Sequence, residues 1–226
     1  MGTLINAGAI AVAAIIGYMI RRGLPENMAD TVQKVLGLMV MLIGIQYGLK
    51  ADNLVVVGLA LALGAMLGEW WQVEAGLVKL GDRLEARLGQ DHISEGFVTS
   101  SILFCTGAMA ILGSIEDGLT GNHQILLIKS MLDGVFSLLF AASMGIGVAF
   151  SAISVLIYQG SITLAAGLVK PLATPILMAD LNAWGGILII GIGLNLIGLT
   201  KIRVANALPG LLVLPFLVQI AAWLGI

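Results

Sequence analysis

The sequence predicts an all-α polytopic membrane protein of about eight transmembrane helices, and three observations carry that prediction. Mean hydropathy is +1.04, with 59% of residues hydrophobic and only 11% charged, far from the balance of a soluble domain. Apolar stretches near bilayer-spanning length recur along the chain. Sheet-like alternation of polar and apolar residues is absent, which favours a helical bundle over a barrel.

The first stretch, Leu4–Ile20, has no basic segment before it and no small-residue cleavage signal after it. Arg21-Arg22 follows it, so it reads as a retained helix rather than a signal peptide. Val35–Leu49 and the shorter Leu54–Leu67 come next. The long polar stretch Trp70–Ser94 then places Val73, Leu77, Leu80, Leu84 and Leu88 on one helical face, with Lys79, Asp82, Arg83, Glu85 and Arg87 mostly elsewhere. It reads as an amphipathic helix on the cytoplasmic interface, with Trp70-Trp71 at headgroup level; a partner-docking helix is the other reading. Gly96–Leu112 and Ile125–Ser143 follow as linking helices. Val148–Val169, the short Gly186–Leu199 and Leu208–Leu224 complete the set.

The first three segments resemble the last three. Leu4-Ile5-Asn6-Ala7-Gly8-Ala9-Ile10 parallels Leu156-Ile157-Tyr158-Gln159-Gly160-Ser161-Ile162. The following loops share P-x-x-M-A-D, at Pro25–Asp30 and Pro175–Asp180. Gly37, Gly44 and Gln46 then match Gly186, Gly193 and Asn195, and Asn53 falls opposite Asn206. Two helices separate the copies, so the sixth segment crosses in the opposite sense to the first. This predicts an inverted three-helix repeat, a plan common in secondary transporters and also found in channels. The whole chain, 1–226, is then one membrane domain: repeat one at 3–69, the interfacial helix at 70–94, linking helices at 95–143 and repeat two at 148–226.

Charge sets orientation. With the N-terminus outside, inside loops hold Arg21, Arg22, Lys34, Lys79, Arg83, Arg87, Lys201 and Arg203, leaving Lys50, Lys129 and Lys170 toward the other side. The positive-inside rule favours both termini outside. The net charge of −2 offers no basic surface to nucleic acid. The lone Cys105 excludes an internal disulfide, and His92 with His123 gives no clustered metal site. Motifs of hydrolases, nucleotide binding and dinucleotide binding are missing, so neither an enzyme nor a cofactor is expected.

Candidate polar sites are few. Lys129 and Asp133 stand i and i+4 within an apolar stretch, where a charge is costly and faces a bundle interior or a water path. Either the two form a structural ion pair, or Asp133 titrates or binds a cation while Lys129 tunes it. Glu116 and Asp117 lie in a glycine-rich polar loop running to His123, and fit an external mouth or a helix-stabilising loop. Asn6, Gln46, Gln159 and Asn195 occupy related places in the two copies. Such amides bond neighbouring helices or coordinate a polar solute.

Several of these segments resemble a bacterial inner-membrane family of unknown function, the YqgA/YdfK-like family. The resemblance rests on Leu4-Ile5-Asn6-Ala7, Gly64–Glu69, Phe104-Cys105 with Gly107 and Gly113, and above all Asp117–Gly121 leading into Lys129–Asp133. Pro175, Met178-Ala179-Asp180 and Leu208-Pro209 extend it to the end. It implies a multi-pass inner-membrane protein and attaches no substrate or reaction. In the family's pattern the Glu116 position can be an amide and the Asn195 position another polar or charged residue, whereas an acid at Asp117 and the Lys129/Asp133 pair match.

The expected function is a transporter or permease for a small ion or polar solute, with the lipid bilayer as its surroundings. A channel and a non-transporting membrane scaffold are the alternatives, and self-association is left open.

Overall fold

The computed structural model describes residues 1–21, 23, 25–88 and 93–224. Arg22 and His92 lie outside the described residues, as do the side chains of Arg87 and Leu88. Helices run α1 Gly2–Arg21, α2 Glu26–Gly48, α3 Leu54–Trp71, α4 Val73–Leu88, α5 Ile93–Cys105, α6 Ala108–Thr120, α7 Gln124–Met144 and α8 Gly147–Leu164. A single turn α9, Ala166–Val169, precedes α10 Pro175–Ile197 and α11 Gly210–Leu224. No strand occurs among the described residues. Seven spans are long and apolar enough to cross a membrane, or eight if α5 and α6 count as one bent span. The expected polytopic helical fold is therefore present.

Three local details differ from the sequence reading. The fourth segment is not continuous: α5 and α6 meet at 64° across Thr106 and Gly107. Gly107 takes φ +108°, where a side chain is strained, and Ala108 N–H donates to Asn182 Oδ1 at 2.9 Å. Secondly, Ser114–Thr120 belongs to α6 rather than to a loop. Thirdly, the P-x-x-M-A-D motifs open helices instead of forming loops: Pro25 directly precedes α2, and Pro175 is the first residue of α10. Proline suits that position because its missing N–H would have no helical partner there. Thr174 caps α10 by accepting from Leu177 N–H. The short third and seventh segments gain length from such flanks, reaching 18 residues in α3 and 23 in α10.

The chain forms two compact units. One comprises Met1–Leu36, Leu77–Cys105 and Met109–Lys170. Here α1 and α7 run parallel, Gly2 against Leu126 and Gly17 against the Leu138 backbone. A side chain at Gly17 would collide with the Leu138 carbonyl oxygen, so glycine permits the approach.

The other unit comprises Gly37–Gly76, Thr106–Ala108 and Pro171–Ile226. Its α2 and α10 cross antiparallel on glycine pairs. A Cβ on Gly44 would lie 2.6 Å from Gly186 O, and one on Gly186 would lie 2.6 Å from Gly44 O. Gly37 and Gly193 meet in the same reciprocal way, at 3.0 and 2.7 Å. At one end of this unit Asp180, fully buried, accepts from the N–H groups of Asp52 and Asn53 at 2.8 and 2.9 Å. Asn53 in turn caps α3. A second knot joins Glu69 to Arg203 and Asn206, while Glu74 accepts from Ala205 N–H at 3.0 Å.

Candidate functional site

Helical spacing puts Leu126, Lys129, Ser130, Asp133, Ser137 and Phe140 on the buried face of α7. Lys129 Nζ lies 2.9 Å from Asp133 Oδ1 and 2.8 Å from Oδ2, and each side chain is only 8% exposed. The pair is therefore direct and nearly dry. From α1, Asn6 Nδ2 donates to Asp133 Oδ2 at 3.0 Å and to Gln159 Oε1 of α8 at 3.3 Å. An ionised carboxylate only accepts, so the Asn6 nitrogen must face Asp133. That orientation leaves Asn6 Oδ1 without a partner among the described residues, and the same holds for Gln159 Nε2 and Ser137 Oγ. Buried polar atoms left unmet cost about 1–3 kcal/mol each. The cluster thus combines a closed charge pair with one spare acceptor, one spare donor and a hydroxyl.

Polar contacts continue toward the start of α1. Thr3 and Thr163 share a hydroxyl contact at 3.3 Å. Asp117, with its side chain 1% exposed, meets the Met1 amino group at 3.2 Å and contacts His123 Nδ1. Glu116 accepts from Asn122 Nδ2 at 2.7 Å. Toward the other end, α1 turns Ile10, Ala14 and Gly17 to the interior. From Asn6 to Arg21 the helix rises roughly 22 Å, at 1.5 Å per residue. No polar side chain of α1's buried face interrupts that distance.

Of the residues expected from sequence, Asp133, Lys129, Asn6 and Gln159 come together, with Asp117 and Glu116 in the same unit. Gln46 and Asn195 fall in the other unit. Gln46 is exposed. Asn195 closes the turn after α10, donating to Ile202 O and accepting from Thr200 Oγ1 and Ile202 N–H. Sequence reasoning passed over Ser137, Thr3, Thr163 and the Asp117–His123 contact as site features. Ser137 was findable, one turn beyond Asp133; the threonine pair depends on how α1 meets α8. Such a cluster can hold or exchange a proton at Asp133, swap the Lys129 charge for a mobile cation, or bind a polar solute through the spare amide atoms.

Residues 1–219 match the model of a family described as a protein of unknown function, DUF554. The chain is 34% identical to the uncharacterised protein YqgA of Escherichia coli (strain K12), over 99% of this chain and 98% of that one. It is 30% identical to the uncharacterised membrane protein YdfK of Bacillus subtilis (strain 168), over 100% of this chain and 98% of that one. No solved structure matches. With seven or eight candidate spans and a match along almost its full length, the chain is a multi-pass membrane protein that belongs to the DUF554 family of proteins of unknown function.

Proposed function

We propose that this protein is a transporter or permease for a small ion or polar solute, working without covalent chemistry in the bacterial inner membrane, with both termini periplasmic. The observation that carries the reading is the buried Lys129–Asp133 pair with Asn6 and Gln159, whose spare amide atoms are buried near the end of the candidate spans where α1 begins. A purely structural pair needs no such unmet donors and acceptors beside it, because each lowers stability. The break between α5 and α6 adds a discontinuous helix, a device transporters use at solute sites. The reciprocal glycine crossing of α2 and α10 supports an inverted repeat, since exchanging equivalent positions maps Gly37 on Gly193 into Gly186 on Gly44. The exposure of Trp70, Trp71, Val78 and Leu80 suits an interfacial α4.

Solute flux into vesicles reconstituted with the purified protein tests this. Asp133→Asn should abolish saturable flux, and the double change Asp133→Asn with Lys129→Gln, which removes both charges, should not regain it. Full flux in the double variant would end the case for Asp133 as the working group. Flux that does not saturate would favour a channel, and none for any ion or solute a scaffold.

A further inference from the structure

Within the first unit a cavity of about 360 Å³ is lined by Arg21, Glu26, Ala29, Asp30, Gln33, Glu95, Ser143 and Met144. It lies where α1 ends, α2 and α5 begin and α7 ends. That volume is at the lower end for small-molecule sites. Its charges are mixed and poorly matched internally. Arg21 makes no ion pair among the described residues, although three carboxylates share its cavity, and its Nη1 is buried without a partner. The guanidinium lies close to Gly145, where an added Cβ would be 3.7 Å from Nε.

The carboxylates are engaged unequally. Lys34 Nζ holds Asp30 at 2.7 Å, and Gln33 Nε2 donates to Glu95 Oε1 at 3.3 Å. Glu26, exposed in the first turn of α2, has no ion pair among the described residues. A simple anion entering here would meet Arg21 but also three acids. A simple cation would meet the acids but also Arg21. Only a ligand carrying both signs satisfies both, with its carboxylate toward the Arg21 fork and its ammonium toward Glu26 and Glu95.

From this arrangement we infer a binding site for a small zwitterion of the amino-carboxylate class, with Arg21 as carboxylate anchor and Glu26 and Glu95 as ammonium acceptors. Ser143 already donates its hydroxyl to the α7 carbonyls of Leu139 and Phe140, so it offers only lone pairs to the ligand. Met144 supplies apolar contact for a side chain. The site is separate from the Asp133 cluster, and binding there does not require that cluster to carry solute.

The test is binding to the full chain in nanodiscs, followed by titration calorimetry and by the melting midpoint. The probes are neutral L-amino acids from alanine to methionine, with propionate and ethylamine as half-ligands. At least one amino acid should bind saturably, and more tightly than either half-ligand by about tenfold or more, a gap set by the second charge contact. Arg21→Gln should remove the preference over ethylamine. Glu26→Gln, at an exposed position that tolerates change, should weaken amino-acid binding while leaving the melting midpoint of the free protein in place. Equal affinity for amino acid and half-ligands, no saturable binding of any probe, or undiminished amino-acid binding in both variants would each overturn the site. Flux through the Asp133→Asn variant bears on transport alone, so failure of one reading is visible apart from the other.

Discussion

Asp133 has partners of two kinds, a charged one on its own helix and an amide on α1, and each can be removed by itself. Removing its charge while keeping its shape, as in Asp133→Asn, leaves a buried lysine without a counter-charge. The melting free energy in detergent should fall by about 3–5 kcal/mol, the usual effect of breaking a buried pair. Adding Lys129→Gln should restore most of it, because no charge is then stranded. Asn6→Leu keeps approximate volume but withdraws one donor from both Asp133 and Gln159. A loss of about 1–3 kcal/mol is expected, read from the same melting curves. Part of this was legible in sequence. The i, i+4 relation of Lys129 and Asp133 follows from helix geometry alone. That Asn6 and Gln159 join them required knowing how α1 and α8 pack onto α7, which no local pattern encodes. Gln46 was selected by position in the repeat, yet an equivalent position does not make an equivalent environment, and it lies exposed.

At the level of elements, apolar length predicted the spans well and backbone breaks poorly. Hydropathy averages over a window, so it runs straight through Thr106 and Gly107, whereas the helix direction there is set by one glycine's dihedral angle. Substituting Gly107 by alanine should cost about 1–2 kcal/mol through the unfavourable positive φ, measurable as a lower melting midpoint with expression retained. Glycines in α1 make a sharper comparison. Gly17 touches the Leu138 backbone, whereas nothing lies within 4 Å of a Cβ built on Gly8. Gly17→Ala should lower stability by about 1–3 kcal/mol, as overpacking does, and Gly8→Ala should leave it nearly unchanged or slightly higher. Similar losses at both positions would mean that α1 does not dock on α7 through Gly17.

For the molecule as a whole, the number of crossings decides orientation. Eight spans, counting α5 and α6 together, return the chain to its starting side, and the distribution of lysine and arginine favours that side being periplasmic. Reporter fusions at Ile226 and within residues 82–90 should therefore give opposite locations. Agreement between them would mean that α5 and α6 do not make one crossing. The glycine crossing of α2 and α10 is symmetric in its contacts but not in what holds the two helix starts. Because Gly37 meets Gly193 as Gly44 meets Gly186, the contact reads alike from either helix. At the helix starts the two P-x-x-M-A-D motifs differ: Asp180 is fully buried and fastened to the amides before α3, whereas Asp30 is exposed and engaged by Lys34. A crossing that reads alike from both helices is thus anchored unequally: Asp180 ties α10 to the start of α3, whereas Asp30 is tied to the next turn of its own helix.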